Sequence, residues 1–236
     1  MITSPHNPTL KAVRRLRRKR ERERTGLFVA EGEDLVAAAE DAGFAAEAVL
    51  VAGRDVEPEL LAEVSELGSG ARVLAIYRRR WSEPGGSVSV YLDRVADPGN
   101  VGTVVRAAHA LCDGPVVLGP GCADPWSPKA VRASMGSVFA RPPLRARLED
   151  LPGTAVALDR DGELELPRLA AALEGEGAGQ VVLCLGAERT GLSQEVLDRA
   201  ALRVRVPLRP DGPDSLNVAM AAALALYETS RMARGA

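Results

Sequence analysis

From residue 88 onward, short apolar runs alternate with helix-forming stretches, and this alternation restricts the possible folds more than any other feature of the chain. Residues 88–92, 115–118, 155–158, 181–185 and 203–206 read as strands. Residues 101–111, 128–139 (with Ser127 as N-cap), 166–173 and 194–200 (capped by Ser193) read as helices, and a long Ala-rich helix over about 215–231 follows the last strand. Strands that are apolar on both faces need cover on both faces. The expected fold is therefore α/β, a mostly parallel sheet with helices on either side.

The first 80 residues have a different rhythm. A basic helix over 9–24 ends before Gly26, a strand follows at 28–30, and a helix over 34–42 is stopped by Gly43. Residues 48–51 and 73–76 read as further strands. Between them, residues 58–67 carry Leu60, Leu61, Val64 and Leu67 on one helical face, with Pro58 at the start and Gly68 past the end. These signals predict a small α/β domain at 1–80. Pro84, Gly85 and Gly86 then break regular structure, so 81–87 is expected as a linker and 88–236 as the second domain.

Charge is distributed unevenly. The net charge is −2, yet positions 11 to 24 hold nine Lys or Arg against two Glu. A basic segment on an otherwise acidic chain suits phosphates, though a solvated helix face would look the same. Aromatic residues make up 3% of the chain, which argues against a surface of stacked rings. Cys112, Cys122 and Cys184, with His6 and His109, are too few and too scattered for a disulfide framework or a metal site, so no metal is expected. No apolar run reaches the roughly 18 residues of a membrane span, and the polar, basic start lacks a signal-peptide core. A cytoplasmic protein without membrane contact is the expectation.

The nucleotide-binding fingerprints of α/β proteins are missing. Gly119-Pro120-Gly121 lacks the third glycine of a dinucleotide loop, and no P-loop or nucleophile elbow is present. Three other segments follow apolar strands, where open α/β sheets place ligands. They are Asp97-Pro-Gly-Asn100-Val-Gly102-Thr-Val-Val-Arg106, Gly186-Ala-Glu188-Arg-Thr-Gly191-Leu192, and Pro207-Leu208 leading to Ser215-Leu216-Asn217. Singly, each has a structural explanation: Gly102 could allow close helix–sheet packing, Gly186 and Gly191 could be turn residues, and Ser215 an N-cap.

In this order, the three segments resemble the motifs of the SpoU (TrmH-type) branch of the knotted SPOUT RNA methyltransferases, and the resemblance covers essentially all of 88–228. Pro125-Trp-Ser-Pro-Lys129-Ala-Val-Arg132-Ala-Ser134-Met-Gly136 also looks like this family, and the first domain resembles, less specifically, its ribosomal-protein-like substrate-binding domain. Asp97 departs from many relatives, which carry Asn there.

The resemblance implies a deep trefoil knot in the second domain, S-adenosyl-L-methionine as cofactor, and transfer of its methyl group to a ribose 2′-oxygen. It implies cofactor contacts around Leu158, Gly186, Val206, Leu208 and Leu216. Arg106, Asn100, Glu188, Ser215 and Asn217 are the implied catalytic residues. Arg106 would stabilise the 2′-oxyanion better than act as a base, because guanidinium has no lone pair to accept a proton. A homodimer through the C-terminal domain is also implied. Arg14, Arg15, Arg17, Arg18 and Arg20, joined by Lys129 and Arg132 at i, i+3, would form an RNA track. The two-domain layout points to large-subunit (23S) rRNA, with a tRNA enzyme or a non-catalytic RNA-binding module as alternatives.

Overall fold

The computed structural model describes residues 1–67, 70–175 and 179–232, with only the backbone at 174, 175, 231 and 232. Gly68, expected to end a helix, lies outside the described residues, as do residues 176–178 of the Gly-rich loop expected at 174–179.

The expected basic helix is two helices, α1 (Pro8–Leu16) and α2 (Lys19–Thr25). The break has a local cause. Arg22 is buried, and its guanidinium donates to the carbonyls of Leu16 and Arg17, both at 2.7 Å, capping α1 as the chain turns back. Gly26 ends α2 in the left-handed conformation at φ 71°, as its position predicts. There follow β1 (Leu27–Glu31), α3 (Glu33–Asp41), β2 (Ala46–Val51), α4 (Pro58–Val64) and β3 (Val73–Arg78). The strands form an antiparallel sheet in the order β1-β3-β2. Helix α4 stops three residues short of its expected end, and Leu67 packs against the core from beyond it.

This sheet is buried on both faces. Period-2 alternation sends Val29, Leu74 and Ile76 into a core with Leu10, Leu61 and Val64. Phe28, Ala30, Ala75 and Tyr77 point the other way, into a core continuous with the rest of the molecule. The glycine-rich connection over 81–87 is pinned. Ser82 bonds the carbonyls of Pro142 and Pro143, and Ser87 bonds Asp113 through N–H and hydroxyl.

The second part runs β4 (Val88–Asp93), α5 (Pro98–Leu111), β5 (Val116–Leu118), α6 (Pro128–Ala133), α7 (Ser137–Ala140), β6 (Leu144–Arg145), β7 (Thr154–Leu158), β8 (Leu164–Glu165), α8 (Leu169–Gly175), β9 (Val181–Gly186), α9 (Gln194–Arg199), β10 (Leu202–Arg205) and α10 (Val218–Met232). The sheet order is β6-β5-β4-β9-β7-β10-β8, and every pairing is parallel. Strands β6 and β8 are too short to stand out from the flanking sequence. The helix expected over 128–139 divides at Met135 and Gly136, which have φ of 48° and 85°. The last helix starts at Val218, three residues later than expected, leaving Ser215 and Asn217 in the approach to it.

Register decides where the site can form. The β4–β9 pairing ends at Asp93↔Gly186 and the β7–β9 pairing at Leu158↔Leu185. The carboxyl ends of these strands therefore finish together at one edge of the sheet. None of the helices among the described residues is long and apolar enough to cross a membrane.

Candidate functional site

A cleft of about 460 Å³ opens at that edge, at the ends of β7, β9 and β10 and beside the approach to α10. Leu158, Gly186, Val206, Leu208 and Leu216 all line it. Glu188 and Ser215 line it too. The volume lies in the range of small-molecule sites, and the wall mixes aliphatic side chains with backbone and a few charges. Its charged members Asp159, Arg160, Asp161, Arg189, Arg203 and Asp214 escape sequence reasoning, because nothing in the local pattern of a strand end or loop separates them from ordinary surface charge. Asp159 is already engaged, accepting from Arg203 at 2.6 Å.

The second motif is a tight turn against the cleft. Gly191 has φ 63°, and its N–H donates to the Ala187 carbonyl at 2.8 Å. A Cβ on Gly186 would lie 2.2–2.3 Å from the Gly191 carbonyl carbon and oxygen and the Leu192 nitrogen. Only glycine lets β9 run under the turn. Gly102 answers to another contact: its Cβ would meet the Ala130 carbonyl oxygen at 2.2 Å, so it permits close packing of α5 on α6 rather than of a helix on the sheet.

The first motif opens α5. Asp97 caps the helix by accepting from the Asn100 N–H at 3.0 Å, with Pro98 at the first helical position. The Asp97 carboxyl is held below its ordinary range by Lys129 at 2.6 Å and by the Asn100 N–H. An Asn at this position could cap the helix but could not pair with Lys129.

Three of the five catalytic candidates meet. The Asn100 amide donates to the Glu188 carboxylate, and the Asn217 amide donates to the Asn100 carbonyl oxygen at 3.0 Å. Asn217 also accepts from the Ala219 N–H at 2.9 Å, which ties the chain of contacts to the start of α10. Side chains 117 positions apart thus orient one another across all three motifs. Ser215 stands exposed on the cleft wall. Arg106 lies apart from this chain, about 9 Å further along α5. It is exposed and makes no hydrogen bond or ion pair with another described residue.

The basic residues divide. Arg14 pairs with Glu63 and donates to the Pro5 carbonyl, while Arg17 pairs with Glu66 and donates to the Ser65 carbonyl. Lys129 is held by Asp97 and Arg132 lies 3.8 Å from Glu66. Arg15, Arg18 and Arg20 are exposed, with no carboxylate partner among the described residues. Burial pushes all three thiols up, Cys112 and Cys122 to about 11 and Cys184 to about 12, so none is a ready nucleophile. Among the described residues no group of three or more His, Cys, Asp or Glu could hold a metal ion.

Comparison with known proteins matches both parts of the chain. Residues 87–227 match the SpoU rRNA Methylase family and residues 7–81 the MRM3-like substrate binding domain. An uncharacterized tRNA/rRNA methyltransferase of Mycobacterium tuberculosis is 37% identical over 76% of this chain; the match spans 58% of that protein's length. RlmP of Bacillus subtilis, a 23S rRNA (guanosine(2553)-2′-O)-methyltransferase, is 31% identical over 96% of this chain and 97% of its own. The crystal structure of an AdoMet-bound rRNA methyltransferase from Sinorhizobium meliloti superposes with a TM-score of 0.86 at 31% identity, covering 98% of this chain and 97% of that one.

Proposed function

The chain belongs to the SpoU rRNA methylase family, and from that premise we propose that it methylates the 2′-oxygen of a ribose in RNA, with 23S rRNA as the substrate. The observation that carries this reading is the contact chain Glu188–Asn100–Asn217 standing beside a cleft lined by Leu158, Gly186, Val206, Leu208 and Leu216. The cleft suits S-adenosyl-L-methionine: aliphatic walls for the adenine, strand-end backbone at Gly186, and carboxylates for the amino end. When bound, that cofactor supplies a sulfonium methyl group for transfer to the ribose oxygen.

The protein's own residues have three tasks. Arg106, exposed and unpaired, holds the ribose phosphate and stabilises charge developing on the 2′-oxygen. Asn100 and Asn217, fixed through Glu188, orient the nucleotide. Ser215 offers a hydroxyl between cleft and substrate. Arg15, Arg18 and Arg20 draw in phosphates, while Arg14, Arg17, Lys129 and Arg132 contribute less because carboxylates already engage them.

The division of labour follows the segments read from the sequence: substrate binding at 1–80, a connection at 81–87, catalysis at 88–236. The late insertion of β9 between β4 and β7, and of β10 between β7 and β8, supports the knotted path that the family resemblance implies. Met220, Leu224 and Tyr227 are 52%, 42% and 54% exposed along one face of α10 and supply a homodimer contact. The relatives that modify 23S rRNA favour a cytoplasmic setting.

The test is methyl transfer from labelled S-adenosyl-L-methionine to separate rRNA and tRNA pools and to assembled subunits, with Arg106→Ala beside the wild type. Label in rRNA, reduced about a hundredfold or more in the variant, is the expected result. RNA binding without label in any substrate would leave a non-catalytic binding module instead.

A further inference from the structure

A second cleft of about 460 Å³ lies at the same edge of the sheet, at the carboxyl ends of β5 and β6. Its walls include Lys19, Gly119, Cys122, Arg145, Arg147 and Asp150. The loop Gly119-Pro120-Gly121, which fails as a dinucleotide motif, forms part of its lining. A Cβ on Gly119 would lie 2.3 Å from the Tyr91 hydroxyl, so glycine keeps this lining close to β4.

The charges around this cleft are arranged to meet an anion. Lys19 opens α2 between the exposed Arg18 and Arg20, so the basic segment of the N-terminal part reaches directly into the cleft. Arg145, also on the lining, has no carboxylate partner among the described residues and sits 5.2 Å from the ring centre of Trp81. Trp81 packs edge-on against the buried Trp126, which fixes the guanidinium at the rim. Arg147 shares Glu149 at 3.1 Å and Glu195 at 3.4 Å, exposed pairs that an incoming phosphate can displace at little cost. Asp150 is the opposing charge on the lining.

Two contacts relate this cleft to the proposed cofactor site. Pro120 lines both this cleft and a smaller cavity of about 120 Å³ that contains Arg94. Arg94 donates to the Gly191 carbonyl at 3.3 Å, and Gly191 lines the cofactor cleft.

We propose that this second cleft binds the sugar–phosphate backbone of the substrate RNA, as a single strand, beside the nucleotide that is methylated. The proposal rests on the methyltransferase reading for its substrate. It routes the RNA over Lys19, Arg145 and Arg147, past Arg94, because Arg145, unlike Lys19, Arg147, Lys129 and Arg132, has no carboxylate partner among the described residues. A concavity of this size accepts the phosphates and sugars of one strand and not a duplex.

The test measures fluorescence anisotropy of a labelled twelve-nucleotide oligouridylate with the full chain over a range of salt. The triple variant Lys19→Ala/Arg145→Ala/Arg147→Ala should bind at least about tenfold more weakly. Its log K against log salt slope should fall by about two, since each neutralised phosphate of a single strand releases about 0.7 counterion. Lys129→Ala/Arg132→Ala should weaken binding less than the triple variant does. With rRNA as methyl acceptor, the triple variant should raise the KM for RNA and leave the KM for S-adenosyl-L-methionine unchanged. Arg145→Glu, a single exposed change, should repeat the loss with an unaltered melting curve. Wild-type affinity and slope in both the triple variant and Arg145→Glu overturn the proposal, and so does an equal loss in Lys129→Ala/Arg132→Ala. A wild-type protein that binds the oligomer but methylates no RNA overturns the methyltransferase reading instead.

Discussion

The cofactor corner and the junction between the two parts of the chain are built on opposite principles. At the proposed cofactor corner Asn100, Glu188, Asn217, Ser215 and Arg106 are polar and exposed or half-exposed; a capped helix start, a tight turn and close-packed glycines carry them, and water-accessible hydrogen bonds orient Asn100, Glu188 and Asn217. At the junction the side chains do the positioning and are sealed from water. Phe28, Tyr77, Trp126 and Phe139 pack ring against ring, with Phe28 and Trp126 centres 4.6 Å apart. Beside them Arg22 and Asp124, 4% and 3% exposed at the side chain, meet at 2.8 Å. Loss of a side chain should cost the first region little stability and the second much. A basic helix is therefore not uniformly a phosphate surface: Arg22, within the most cationic run, is a buried fastener that fixes the neighbouring cations against the catalytic part.

The largest effect should come from breaking the fastener. Asp124→Ala leaves the Arg22 guanidinium buried with no counter-charge, and urea unfolding should register a loss of about 3–5 kcal/mol. The double change Arg22→Met/Asp124→Leu should recover part of it, the part due to an uncompensated charge, and leave the loss from the unpaired Leu16 and Arg17 carbonyls. At the cofactor corner Asn100→Ala cuts both contacts of the chain to Glu188 and Asn217. Turnover should fall by about a hundredfold through mispositioning alone, with the urea midpoint unchanged; a shift in that midpoint would erase the contrast between the regions.

Gly102→Ala tests a motif residue that belongs physically to the packing side. Its methyl has no room against the Ala130 carbonyl, so a stability loss of about 1–3 kcal/mol is expected with cofactor affinity preserved, readable by unfolding and calorimetry together. The smallest effect concerns Asp97. Its carboxyl titrates lower in the folded chain than in the unfolded one, so its contribution is present above the unfolded value of about 3.9 and is lost as pH falls through the folded value. Asp97→Asn keeps the cap but gives up Lys129. It should cost less than about 1 kcal/mol at neutral pH and flatten the acid limb of the stability curve.

Much of the proposed cofactor cleft is legible in the sequence through the family resemblance, which implies its lining residues at the ends of apolar strands. The five residues Leu158, Gly186, Val206, Leu208 and Leu216 come from three such ends and converge on one cleft. Lys129 and Arg132 illustrate the limit of that reasoning. Spacing along α6 predicts a shared cationic face, but spacing carries no information about Asp97 and Glu66, which approach from other elements. The break between α1 and α2 is hidden for the same reason: nine basic residues within fourteen positions read as one helix, and only the burial of Arg22 divides it.

By itself the sequence determined the alternation of strands and helices, the parallel sheet, the helix cap at Ser127, and which segments end at the ligand-bearing edge. These follow from periodicity, from capping chemistry and from where glycine and proline interrupt them, all local properties. Only the tertiary structure decided that Asn217 reaches Asn100 across 117 positions, that both faces of the N-terminal sheet are buried, and that Lys19 and Arg145 line one cleft. Those outcomes depend on strand order and on side chains meeting from distant elements, and neither is encoded in the spacing of residues along a single one.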